Sequence, residues 1–141
     1  QRQGKLAEAV QRLEEYIKLD PKGLHPRTEL AKIYQRQGKF DEAVRRGEEV
    51  LALDPTNNFA MSELLGTWTR QGKKEKCAER FLAFIEQPRY EFSRYSQAPV
   101  FRFFLSCRRF GMRDEAKLVY ERFKTQLDEA NLNFYEITFL E

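Results

Sequence analysis

Apolar positions along this chain recur three and four residues apart, and whole groups of them recur every 34 residues. Leu30 and Tyr34 form one such pair, Leu64 and Trp68 the next. After each glycine of the repeat come a small residue and then larger ones: Ala9, Leu13 and Tyr16; Cys77, Phe81 and Phe84; and, with Gly47 as the exception, Ala43 and Val50. Residues at these spacings share one face of an α-helix, so the pattern predicts a succession of amphipathic helices. Arg-Gln-Gly-Lys stands between the helices at 2–5, 36–39 and 70–73. Gly4, Gly38 and Gly72 are therefore expected to end a helix in a left-handed cap, which costs least without a side chain. Leu-Asp-Pro at 19–21 and 53–55 closes the helix that follows, because proline has no backbone donor. Asp41 and Glu42 fall in a first helical turn, where the macrodipole favours negative charge. A fixed period of this length is the mark of stacked helical hairpins.

Residues 24–57 carry Leu30, Ala31, Tyr34, Gly38, Phe40, Ala43 and Pro55 at these offsets, and on them the chain resembles the tetratricopeptide repeat. The resemblance implies an all-α fold: a right-handed α-solenoid of antiparallel helix pairs, with about four units plus partial ends. Residues 1–23 would be the second half of a unit, 24–57 and 58–91 full units, and 92–130 a divergent unit with an insertion. Residues 131–141 would be the first helix of a further unit, with Phe134 and Ile137 inward. Lys74 and Leu65 depart from the pattern in the third unit. In the fourth, Gly111 lies 39 residues after Gly72, and Phe104 stands where a small residue is usual. A chain that starts and stops inside a unit reads as part of a longer protein, and copies could self-associate through such cut ends.

Composition narrows the function. Net charge is +3, with basic and acidic residues nearly balanced in both halves, which does not announce nucleic acid. No apolar run reaches the roughly 20 residues of a membrane span, and a cytoplasmic location is the expectation. His25 is the single histidine and has no nucleophile or carboxylate partner in an obvious triad. Gly66 to Lys73 has five residues between its glycines where a phosphate loop needs four, and Lys74 follows instead of Ser or Thr. Cys77 and Cys107 occupy inward positions of different units and read as buried free thiols, short of a zinc ligand set. The carboxylates lie mostly on second-helix outer faces and read as solvated. No catalytic residue, no metal site and no cofactor is expected.

What remains is a binding surface. The first helix of each pair is expected to line a concave groove. Its candidate partner-binding residues are Thr28, Lys32 and Arg36; Phe59, Ser62 and Arg70; and Phe101, Leu105, Arg108 and Arg109. The arginines at 2, 36, 70 and 109 hold one slot in four successive units, suited either to carboxylates or to helix C-termini. Glu29 and Glu63 argue against a clamp for a C-terminal carboxylate. The expected function is a protein–protein scaffold that holds an acidic peptide segment with apolar anchors. Single-stranded RNA is the alternative, for which Asn131 to Tyr135 have a faint pentatricopeptide look. The aromatics Tyr90, Phe92 and Tyr95 within 88–104 read either as a second contact surface or as folding back into the core.

Overall fold

The computed structural model describes residues 2–93 and 97–129. Seven helices follow one another: α1 (Arg2–Leu19), α2 (His25–Arg36), α3 (Phe40–Leu53), α4 (Asn58–Arg70), α5 (Lys74–Ile85), α6 (Ala98–Phe110) and α7 (Arg113–Glu129). There is no strand among the described residues. The fold is an all-α helical repeat in which α2/α3, α4/α5 and α6/α7 are hairpins. The first helices α2, α4 and α6 lie side by side, and each also packs on the second helix before it. Residues 131–141 and Tyr95 lie outside the described residues.

Gly38 and Gly72 adopt φ of 76° and 73°, and Gly111 70°, as a left-handed helix cap requires. The Lys39 amide donates to the Tyr34 carbonyl (2.8 Å) and the Lys73 amide to that of Trp68 (2.9 Å), which closes the last turn of α2 and of α4. Gly4 departs from expectation. It lies inside α1. The proline closures hold, with α1 and α3 ending just before Asp20 and Asp54. At the start of α4, Asn57 supplies a cap that the repeat pattern did not predict: its side-chain oxygen accepts from the Ala60 amide at 2.9 Å.

The core is unequal along the array. A large cluster runs from Met61 through Trp68, Phe81, Phe103 and Tyr120 to Leu127. Phe104 is fully buried there, so the large residue of the irregular fourth unit is taken into the core. The cluster between α1, α2 and α3 holds only Leu30, Tyr34 and Ala43 as buried members, with Val10, Leu13 and Ile17 at its margin. Charged groups complete it. Arg46, 7% exposed, donates from Nη2 to Glu14 Oε2 (2.5 Å) and from Nη1 to Glu49 Oε2 (2.9 Å). Arg27 donates from Nε to the same Glu49 oxygen (3.0 Å) and from Nη1 to the Gly23 carbonyl (2.8 Å). The Tyr34 hydroxyl donates to Glu14 Oε1 at 3.2 Å.

Burial by itself would lower the Arg46 pKa, but the hydrogen bonds to Glu49 and Glu14 outweigh it and raise it. Burial, and then the Glu14 carboxylate, keep the Tyr34 hydroxyl protonated above its usual range. These carboxylates were expected to be solvated; instead they join helices. The pairing recurs along the array: Glu14 with Arg46 links α1 to α3, Glu48 with Arg80 (2.7 Å) links α3 to α5, and Glu86 with Arg122 links α5 to α7.

At Gly47, α3 and α4 approach closely. A Cβ there would meet Leu64 Cγ and Cδ2 at 2.9 Å, and Leu64 is itself buried. Gly47→Ala should therefore lower stability by about 1 kcal/mol, since overpacking (about 1–3 kcal/mol) exceeds the helix-propensity gain of about 1 kcal/mol. Gly4→Ala, where nothing lies within 4 Å of the added carbon, should raise stability by up to about 1 kcal/mol. Urea unfolding midpoints measure both, and a shift of the same sign in the two variants would refute the assignment of Gly47 to close packing. Arg46→Ala should cost about 3 kcal/mol, because two carboxylates lose a buried partner. Arg80→Ala, at a more exposed pair, should cost about 1 kcal/mol. Equal losses would show that burial does not set the strength of these links.

Candidate functional site

The first helices α2, α4 and α6 pack in a row, α2 on α4 and α4 on α6. Lys32 of α2 meets Phe59 of α4, and further along Gln35 meets Thr67 at 2.9 Å. Thr69 of α4 meets Ser106 of α6 at 2.7 Å, and Arg102 passes over Gly66. Contacts that advance together along both helices make those helices parallel. Their outward positions follow a four–three–four spacing. On α2 these are His25, Glu29, Lys32 and Arg36; on α4, Phe59, Glu63 and Arg70, with Gly66 at the same spacing but buried; on α6, Ala98, Arg102, Leu105 and Arg109.

The expected residues divide between this stripe and the seams beside it. Lys32 is half-buried, its Nζ lying 4.6 Å from the centre of the Phe59 ring and 3.4 Å from Glu29 Oε1. Phe59 stays 38% exposed beneath it, and Leu105 45% exposed on α6. Arg36, Arg108 and Arg109 are exposed. Arg70 is exposed too, but its guanidinium lies over the Phe40 ring at 5.1 Å and donates to the Gln35 carbonyl at 3.3 Å. It therefore caps the end of α2, which is the dipole role and not a free slot of a ladder. The side chain of Arg2 lies outside what the structure describes.

Ser62 is buried, only 7% exposed. Thr28, at the same position one unit earlier, is half-buried and donates its hydroxyl to the Leu24 carbonyl at 2.9 Å. Phe101 is half-buried in the corresponding place. Arg102, Glu29 and Glu63 belong to the stripe and were not among the expected contacts. Their signal was available, since a four–three–four spacing from Arg36, Arg70 and Arg109 reaches all three. Gly66 makes room for the crossing: a Cβ would meet Gln35 Nε2 at 3.2 Å and Arg102 Cζ at 3.5 Å.

The aromatic stretch after α5 folds inward. Tyr90 stands edge-on to Phe84 (5.2 Å) and to Phe123 (5.9 Å), and Phe92 stacks on Phe123 at 5.0 Å. It thus fills the space between α5 and α7 and is not an exposed contact surface at these positions. The two cysteines are free and buried. Burial pushes both thiols up, partly offset at Cys77 by hydrogen bonds with Thr69 and Ser106, so neither is a ready nucleophile. Among the described residues no group of three His, Cys, Asp or Glu could hold a metal ion, and no helix is long and apolar enough to cross a membrane.

The Tyr90 hydroxyl is buried without a hydrogen-bond partner among the described residues, and burial pushes its pKa up from 10.0 to about 12. The unfolded chain ionises this group first as pH rises, so its contribution to stability is present below pH 10 and is lost between pH 10 and about 12. Tyr90→Phe should fold at least as stably at neutral pH and should lose less stability than the parent between about pH 9 and about pH 11. Urea titrations at the two pH values decide it; parallel losses would place the hydroxyl in water.

The family model described as tetratricopeptide repeat matches residues 1–67. No curated protein matches the chain. Repeats of this family are commonly non-catalytic scaffolds for protein–protein interaction. The matched segment contains the Gly38 cap, the α2/α3 hairpin and most of α4, and the later hairpins continue its arrangement. Residues 1–67 of the chain thus match the tetratricopeptide repeat, and the all-α helical repeat of the described residues agrees with that match.

Proposed function

We propose that the stripe across α2, α4 and α6 is the floor of a groove that receives a segment of a partner protein. One observation carries this reading. Phe59 and Leu105 stay exposed on a surface whose neighbours, Lys32, Arg36, Arg102 and Arg109, are cationic. Aromatic and aliphatic anchors ringed by charge are the form of an interface hot spot with electrostatic steering. The segment that fits is acidic, with apolar side chains spaced to reach Phe59 and Leu105. Glu29 and Glu63 interrupt the basic field, so a uniformly anionic polymer fits less well than a peptide of mixed character.

The test uses the chain as bait in lysate, with and without nuclease, beside an Arg102→Glu/Arg109→Glu variant and a Leu105→Asp variant. The expected result is nuclease-resistant capture of a protein that both variants lose by about tenfold or more, while circular dichroism shows them folded. Cross-linking from the stripe should then map a partner segment with acidic and apolar residues. Capture abolished by nuclease, with a steep dependence on salt, would transfer the surface to single-stranded RNA. Capture that survives both variants would refute the stripe as the contact.

A further inference from the structure

The hairpin turns lie on one edge of the array, because α2, α4 and α6 run parallel and end there. Between α4 and α6 this edge is drawn together. Thr69 Oγ1 lies 2.7 Å from Ser106 Oγ and 3.6 Å from Cys77 Sγ, near the start of α5. Charge is spread unevenly among the turns. Residues 36–42 hold Arg36 and Lys39 against Asp41 and Glu42. Residues 70–76 hold Arg70, Lys73, Lys74 and Lys76 against Glu75 alone. Residues 108–115 hold Arg108, Arg109 and Arg113 against Asp114 and Glu115. The latter two turns together carry +4, whereas the whole chain carries +3.

The fold does not call for these cations. Lys73 and Lys74 open α5, where the macrodipole disfavours positive charge. One repeat earlier, the places of Lys74 and Lys76 are held by Phe40 and Glu42. Lys73, Lys74, Arg108 and Arg113 are exposed and have no carboxylate partner among the described residues, whereas Arg46, Arg80 and Arg122 each hold one. The edge also faces sideways to the direction of stacking. A further hairpin at either end of the array would lengthen it and leave it uncovered.

We infer that this edge docks on the surface of an anionic lipid bilayer. Its apolar side chains are withdrawn: Phe40 and Phe110 are half-buried and Met112 is buried. The edge therefore offers no ring for the stacking that holds single-stranded nucleic acid, and no anchor of the kind that fixes a peptide. It offers lysine and arginine clustered on the tips of adjacent hairpins, and such clusters attract acidic phospholipid headgroups. Lys73, Lys74 and Arg113 stand off the stripe of α2, α4 and α6, so docking through them leaves the groove free for its segment.

The chain is titrated with phosphatidylcholine vesicles, with and without phosphatidylserine, and bound protein is measured by co-sedimentation. Binding is expected to the vesicles with phosphatidylserine alone, and to fade as salt rises from about 0.1 M to about 0.5 M and screens the charges. Lys73→Glu/Lys74→Glu should weaken it by about tenfold or more. Because acidic residues suit the start of α5, that variant should unfold at no lower a urea concentration than the parent. Lys22→Glu/Arg89→Glu makes the same change of charge in the connections on the opposite edge and should bind as the parent does. Absence of binding to phosphatidylserine, full binding by Lys73→Glu/Lys74→Glu, or an equal loss in Lys22→Glu/Arg89→Glu overturns the proposal. So does displacement from the vesicles by a single-stranded oligonucleotide at equal phosphate concentration, because nucleic acid would then be the preferred ligand.

Discussion

Stacking one helical hairpin on the next makes two demands that conflict. The helices must approach closely enough to exclude water from their apolar faces, and they must be held in a fixed register as they do so. Gly47 meets the first demand, letting Leu64 of the next hairpin rest against bare backbone on α3. The carboxylate–arginine pairs meet the second, linking α1 to α3, α3 to α5 and α5 to α7 on the second-helix side. Close packing without directional pairs would leave the hairpins free to slide, because apolar contact is not directional. The pairs alone, in reach of water, would contribute little.

The balance between these two devices shifts along the array. Around α4, α6 and α7 the seams are filled with Phe81, Phe103, Phe104 and Trp68, and the apolar area is ample. Around α1, α2 and α3 it is sparse, and Arg27 occupies the place that Met61 fills one unit later. The two arginines and two glutamates there pair with one another; of their fully buried side-chain atoms, Arg46 Nε alone lacks a partner among the described residues. Such a network is sensitive to the loss of any member, since each removal leaves a charge in a poorly hydrated place.

The surface inherits this arrangement. Because α4 is buried on nearly every side, it contributes little beyond Phe59, Glu63 and Arg70 to the exposed stripe, and the outer helices α2 and α6 supply most of its charge. The helix C-termini gather arginines, but they are not equivalent: Arg70 is held by Phe40 and the Gln35 carbonyl, while Arg36 faces an open cleft. A row that looks uniform in sequence is thus divided in space between capping and exposure.

The sequence alone determined the helices, their order and their ends. Those features are local: spacing of apolar residues decides which face is buried, and glycine and proline decide where a helix can stop. It also placed Leu30, Tyr34, Leu64 and Trp68 in the core and both cysteines in the interior. Tertiary structure alone decided the rest. Ser62 is buried because the packing of neighbouring helices, and not the helix period alone, decides what a position meets. Glu14, Glu48 and Glu49 changed from solvated to structural because their partners lie 32 or 22 residues away and meet only after stacking. Local patterns are written in spacing, whereas neighbours across a seam are set by the packing of whole helices.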